Sequence, residues 1–175
     1  MFRPGLSPVP LLPIAIFLPV IIGVPLLLRS KRIGQVLDAM PENWLVALQL
    51  YRVFGSVFLV GWAGGAIPGV FALPAGIGDL ITGLLAMPVA ISLAAGTPGV
   101  RRAALAWNVF GLVDFAVAVS IGLMIAPGPL QVIVPRIPNA TAGIYPTVMI
   151  PAFAVPSSIL LHALSLRQLI RRRAR

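Results

Sequence analysis

The residues able to do chemistry are few in a chain that is 59% hydrophobic and 10% charged. Arg52 and Asp114 carry opposite charges well inside long apolar stretches, and Asn108 lies less than two helical turns before Asp114. An ion at mid-bilayer costs ~2.5–3.5 kcal/mol on insertion scales, so such residues are kept where they pair or function. At ~1.5 Å per residue, Arg52 lies about 12 Å and Asp114 about 16 Å from the cytoplasmic ends of their stretches. Arg52, Asn108 and Asp114 are therefore expected to form an intramembrane polar centre. The bland alternatives are a lock between two helices, or an Arg52 side chain that snorkels to the headgroups.

Secondary candidates surround this set. Tyr51 adjoins Arg52. Asp79 follows Gly76-Ile77-Gly78, with Thr82 three residues on, and reads as the N-cap of a helix. Its functional alternative is a cation or proton entry point. Ser158, His162 and Ser165 recur at i, i+4, i+7 and share a stripe near the inner end of the last apolar stretch. His162 titrates near neutral pH if exposed, but a lone histidine there favours a packed residue over a relay. The depths of Asp79, Asp114 and His162 read as scattered, which argues against a single acid–base site.

The absences are informative. With no cysteine there is no disulfide, Cys-ligated metal or thiol nucleophile, and one histidine excludes an intrachain bis-His haem or an H-E-x-x-H zinc site. No metal site is expected, and the cofactor is unknown. The sequence has no P-loop, Rossmann fingerprint or Ser/His/Asp order. The net charge of +9 does not indicate a nucleic-acid partner, because the basic residues are dispersed through short loops and a tail.

Five apolar stretches must position these groups, at about 11–28, 44–64, 76–95, 103–126 and 147–164. The segments between them alternate in charge. Arg29, Lys31 and Arg32, then Arg101 and Arg102, then Arg167, Arg171, Arg172, Arg173 and Arg175 fall on one side, against Arg3 and Arg136 on the other. The positive-inside rule then gives an all-α integral membrane protein, a single polytopic domain over 1–175 with five transmembrane helices in the cell (cytoplasmic) membrane. Its N-terminus is outside and its C-terminus cytoplasmic. The first stretch is too long for a usual signal-peptide core and is followed by basic residues, so it reads as a retained span, bent by Pro13, Pro19 and Pro25.

Residues 30–40 place Ile33, Val36, Leu37 and Met40 at helical spacing and predict a short amphipathic helix at the cytoplasmic interface. Arg29, Lys31 and Arg32, with Arg171, Arg172 and Arg173 of the basic tail 165–175, are expected to meet lipid headgroups. Trp44 and Trp62 bracket the second span as interfacial anchors. The uncharged 64–76 segment reads as a turn hugging the outer surface. The longer outer loop 127–146 contains an apolar run, Leu130–Val134, and a sequon-like Asn139-Ala140-Thr141. An internal echo pairs Tyr51-Arg52-Val53-Phe54-Gly55-Ser56-Val57 with Trp107-Asn108-Val109-Phe110-Gly111-Leu112-Val113. It suggests a 1+2+2 arrangement of repeated hairpins, with chance as the alternative.

These features predict a small, non-enzymatic membrane protein that transports a small solute or a proton or other ion. The alternative is an accessory or assembly subunit, bound to another membrane protein or to a second copy. A third reading is an enzyme acting on a lipid or quinone. Transport, whether of a solute or of a proton or other ion, is expected to need a polar opening to Asp114, for which Gly55, Ser56 and Gly111 would make room. A subunit instead needs a tightly packed interior and a broad apolar flank.

Overall fold

The computed structural model describes residues 11–137 and 144–173. Arg3, the Asn139-Ala140-Thr141 triplet and the side chains of Arg172 and Arg173 lie outside that description. The described residues form six helices and no strand. They are α1 (Leu11–Arg29), α2 (Lys31–Ala39), α3 (Glu42–Ala63), α4 (Gly69–Ala94), α5 (Val100–Ile125) and α6. Helix α6 opens with a π turn, Ile150–Ala154, and continues as Val155–Arg173. All but α2 are long and apolar enough to cross a membrane.

Helix α2 begins at Ser30, whose hydroxyl accepts the Ile33 N–H at 3.3 Å, a side-chain N-cap. Gly34 and Leu37 are buried, but Val36 is exposed, so the packed face is narrower than the four-residue stripe.

Helix α3 is not uniform. Between two α-helical ends, Leu48–Ser56 winds as a 3₁₀-helix. Such runs are usually limited to about three or four residues, because the hydrogen bonds are less well aligned. A repeat of three residues per turn stacks Gln49, Arg52 and Gly55 on one face, and these are its buried residues. Trp44 and Trp62, near the two ends, are both exposed.

Helix α4 starts at Gly69, earlier than the predicted 76, and only the segment around Gly64–Pro68 turns. Pro68 occupies the N-cap position in an extended conformation, and Pro74 lies inside the helix. The Gly/Pro content of 69–75 reads as a turn in sequence but is tolerated inside a packed apolar helix. Helix α5 likewise starts at Val100 and includes Arg101 and Arg102.

Helices α3, α4, α5 and α6 pack as a four-helix bundle, with α4 between α3 and α5 and α6 touching both α5 and the start of α3. Helix α1 stands outside, against α6, with only 6% of its span buried. Val46, Ala86, Ala90 and Trp107 form an apolar cluster toward the basic end of the bundle. Phe58, Ile67, Ala72 and Ala75 form another toward the opposite end. Ile16, Phe115 and Val155 tie α1 to the bundle.

The basic residues gather at one end. Arg101 pairs with Glu42 at 3.4 Å and donates to the Leu169 carbonyl. Arg167 donates to the Leu27 and Ser30 carbonyls, and Gln168 to those of Leu37 and Met40. Arg171 pairs with Asp38 at 3.0 Å. The basic tail is therefore no separate segment: α6 runs on to Arg173, and these side chains hold α2 and the end of α1 against it. Arg136 sits at the far end, beside Pro68 and Gly69.

Candidate intramembrane polar centre

Arg52 of α3 is 2% exposed at the middle of the bundle, and the other three helices supply its partners. Its Nε donates to Asp79 Oδ1 on α4 at 2.7 Å, and its Nη2 donates to Asp114 Oδ2 on α5. Its Nη1 donates to the Gly111 carbonyl at 3.3 Å and faces His162 Nε2 on α6 at 3.1 Å. The guanidinium carbon lies 3.8 Å from the centre of the Phe115 ring, a cation–π contact. The expected Arg52–Asp114 pair is present, and Asp79 joins it.

Hydrogen-bond roles fix the histidine. A guanidinium has donors only, so His162 Nε2 must accept, and the ring proton sits on Nδ1. Nδ1 then donates to Asn108 Oδ1 at 2.9 Å. The Asn108 amide nitrogen donates to the Ala104 carbonyl at 2.8 Å and to Ser165 Oγ at 3.1 Å, consistent with that orientation. His162 is thus a neutral acceptor toward Arg52.

An adjoining layer links α3 to α6. Tyr51 donates to the Ala154 carbonyl in the π turn and touches Ser158 Oγ. Ser158 Oγ donates to Gln49 Oε1 at 2.9 Å, and Gln49 Nε2 returns a bond to the Ser158 carbonyl at 3.0 Å. Thr82 is spent on its own helix, donating to the Gly78 carbonyl, and Trp107 donates to the Thr82 carbonyl at 3.1 Å. A correspondence runs through these contacts. Arg52 and Asn108, equivalent in the two echoed heptapeptides, each bond a polar residue of the following helix, Asp79 and His162. Tyr51 and Trp107 each reach across to a carbonyl of the other hairpin.

Three expectations are corrected. Asp79 is no N-cap: the helix starts at Gly69, which carries Asp79 inward to the guanidinium. Asp79, Asp114 and His162 are not scattered in depth but converge on Arg52, because α4 begins earlier and α6 ends later than the apolar runs suggest. Gly55 and Gly111 leave no cavity. A Cβ at Gly55 would land on the Asp79 side chain, and one at Gly111 on His162 and Arg52 Nη1. The glycines are filled by the polar groups themselves. Two described cavities, about 470 and 270 Å³, lie elsewhere and share no lining residue with the centre.

Gln49 and Phe115 are site residues that sequence reasoning missed. The three-residue spacing of Gln49, Arg52 and Gly55 was the available signal for the first, and adjacency to Asp114 for the second.

The charge count is uneven. One guanidinium faces two carboxyl groups beside a neutral imidazole, so with both carboxyl groups ionised the centre carries one negative charge in excess. In a region away from water such an excess is costly, and a bound proton would remove it. No group of three or more His, Cys, Asp or Glu arranged to hold a metal occurs among the described residues.

A family model described as "Domain of unknown function (DUF8737)" matches residues 9–170, and the chain belongs to that family. No curated protein and no solved structure matches the chain.

Proposed function

We propose that this member of the DUF8737 family is a five-span protein of the cell membrane whose Arg52 centre binds a proton at mid-depth and serves a proton pathway. The observation that carries this reading is the pairing of one guanidinium with two buried carboxylates. A simple helix lock is neutral with one Arg and one Asp, so the second carboxylate calls for a proton. The closed packing around Asp114 runs against the polar opening expected for transport and leaves a proton as the cargo that fits, since a proton can be passed along hydrogen bonds and needs no cavity of its own. The same closure weighs against a lipid or quinone as substrate of this centre.

The test is infrared spectroscopy of the protein in bilayers at neutral pH. One carboxylic-acid carbonyl stretch is expected. Asp79→Asn and Asp114→Asn should each abolish it, because either change balances the charge. Wild-type proteoliposomes should also collapse a pH gradient faster than either variant. A wild-type spectrum without the protonated band, or proton flux equal to protein-free vesicles, would remove the reading.

The gathering of Arg29, Arg101, Arg167 and Arg171 at one end supports a cytoplasmic C-terminus and an outer N-terminus. Because the chain has no cysteine, single-cysteine labelling is unambiguous. Thr97→Cys should react with a membrane-impermeant maleimide only from the cytoplasmic side, and Leu130→Cys only from outside; the reverse pattern would invert the model. The corresponding contacts of Arg52 and Asn108 support a duplicated hairpin.

A subunit role is the second reading. It is favoured by the exposed flank of α1, where Ile21, Ile22 and Leu26 are each more than half exposed. Recovery of a stoichiometric larger complex after mild solubilisation would support it.

A further inference from the structure

Helices α1 and α5 both pack on α6, and all three join in the cluster of Ile16, Phe115 and Val155. Toward the basic end α1 and α5 part. The gap is a groove of about 470 Å³, walled by Leu28 of α1, Leu112 of α5, and Ala163 and Leu166 of α6, with Arg167 and Arg171 completing it. That volume falls in the ~300–1,000 Å³ range of ligand sites.

We infer that this groove binds one anionic phospholipid of the cytoplasmic leaflet, an acyl chain along the apolar wall and the phosphate on Arg171. Three observations converge on that occupant. The wall is apolar and the charged lining is cationic only, which suits an amphiphile with an anionic head. The groove runs along α6 from Ala163 to Arg171, about 12 Å at ~1.5 Å per residue, close to half of the ~30 Å hydrocarbon thickness. Arg171 Nε is buried without a hydrogen-bond partner, although Nη2 is held by Asp38. A buried unsatisfied donor is unfavourable, and a phosphate oxygen would satisfy it. Arg167 has Nη1 and Nη2 on the Leu27 and Ser30 carbonyls, so it contributes charge and the position of α1. Gly34 keeps α2 close over both guanidinium groups, since a Cβ there would strike Arg167 Nη2 and crowd Arg171.

The bound lipid would fill the space between α1 and α5, adding to the hold on a helix that has little other burial. The inference rests on the membrane reading of the chain and not on the proton centre.

The experiment is native mass spectrometry of the full chain released from detergent containing equal phosphatidylglycerol and phosphatidylcholine. Wild type is expected to retain one phosphatidylglycerol in preference to phosphatidylcholine. Arg171→Gln should lower that preference about fivefold, the scale of one basic residue at a lipid surface. Ala163→Trp, which fills the groove, should abolish retention, whereas Leu84→Trp on an exposed face of α4 should not. Helix content by circular dichroism checks that each variant folds. A parallel thermal unfolding series compares phosphatidylglycerol with inorganic phosphate, and only the lipid should raise the midpoint. Equal retention of the two lipids, retention surviving Ala163→Trp, or equal stabilisation by phosphate would overturn the inference.

Discussion

Arg52→Ala is expected to be among the most damaging single substitutions in the chain. It leaves Asp79 and Asp114, both largely buried, without the counter-ion they share. Breaking a buried ion pair by removing one partner costs about 3–5 kcal/mol, and here both carboxyl groups lose the partner they share. The gap also strips Phe115 of its stacked cation and His162 of the donor to Nε2. The variant should fail to accumulate, or should unfold in detergent at a much lower temperature. Arg52→Met combined with Asp79→Asn and Asp114→Asn should recover most of the loss, because no unpaired charge remains. Cycles between Arg52 and each carboxylate should show coupling of about 0.5–3 kcal/mol. Additive singles, each below about 1 kcal/mol, would mean that the pairs do not hold the bundle.

The second large effect comes from a residue with no side chain. Gly78 lies on α4 where the Asp114 carboxylate approaches its Cα so closely that a Cβ would overlap the carboxylate. Asp114 cannot withdraw without leaving Arg52. Gly78→Ala should therefore cost about 1–3 kcal/mol, the usual range for overpacking. Gly122→Ala is the contrasting case. Its Cβ would meet Phe71 at 3.6 Å, an ordinary contact, so the change should stabilise α5 by about 0.5–1 kcal/mol through helix propensity. Thermal unfolding of the two variants should thus move in opposite directions. A neutral Gly78→Ala would show that the α4–α5 contact gives way easily.

Much of this architecture is legible in the sequence because helices long and apolar enough to cross a membrane stand out by composition. The five apolar helices, and the meeting of Arg52 with Asp114, follow from that and from counting depth. What failed was the location of helix ends. Gly76-Ile77-Gly78 resembles a helix start, but the true start is set by Pro68, and that displacement hid the role of Asp79. His162 seemed close to an interface because the apolar run stops near Leu164. The helix instead continues through Arg167 and Arg171, whose side chains bond the Ser30 carbonyl and the Asp38 carboxylate. Gln49 escaped notice because a search at 3.6-residue spacing does not align it with Arg52 and Gly55 over successive turns, whereas a spacing of three does.

That three-residue winding sets both the length of α3 and the direction in which its ends face. A 3₁₀-helix rises ~2.0 Å per residue against ~1.5 Å for an α-helix, and turns ~120° against ~100°. If Leu48–Ser56 rewound as α-helix, α3 would shorten by about 4.5 Å and its ends would rotate by about 180° relative to each other. Arg52, at the midpoint, would take about half of each, more than its bonds to Asp79 and Asp114 can follow. The bonds of the guanidinium to Asp79 and Asp114 are thus matched to the three-residue winding of α3 and not to an α-helical one.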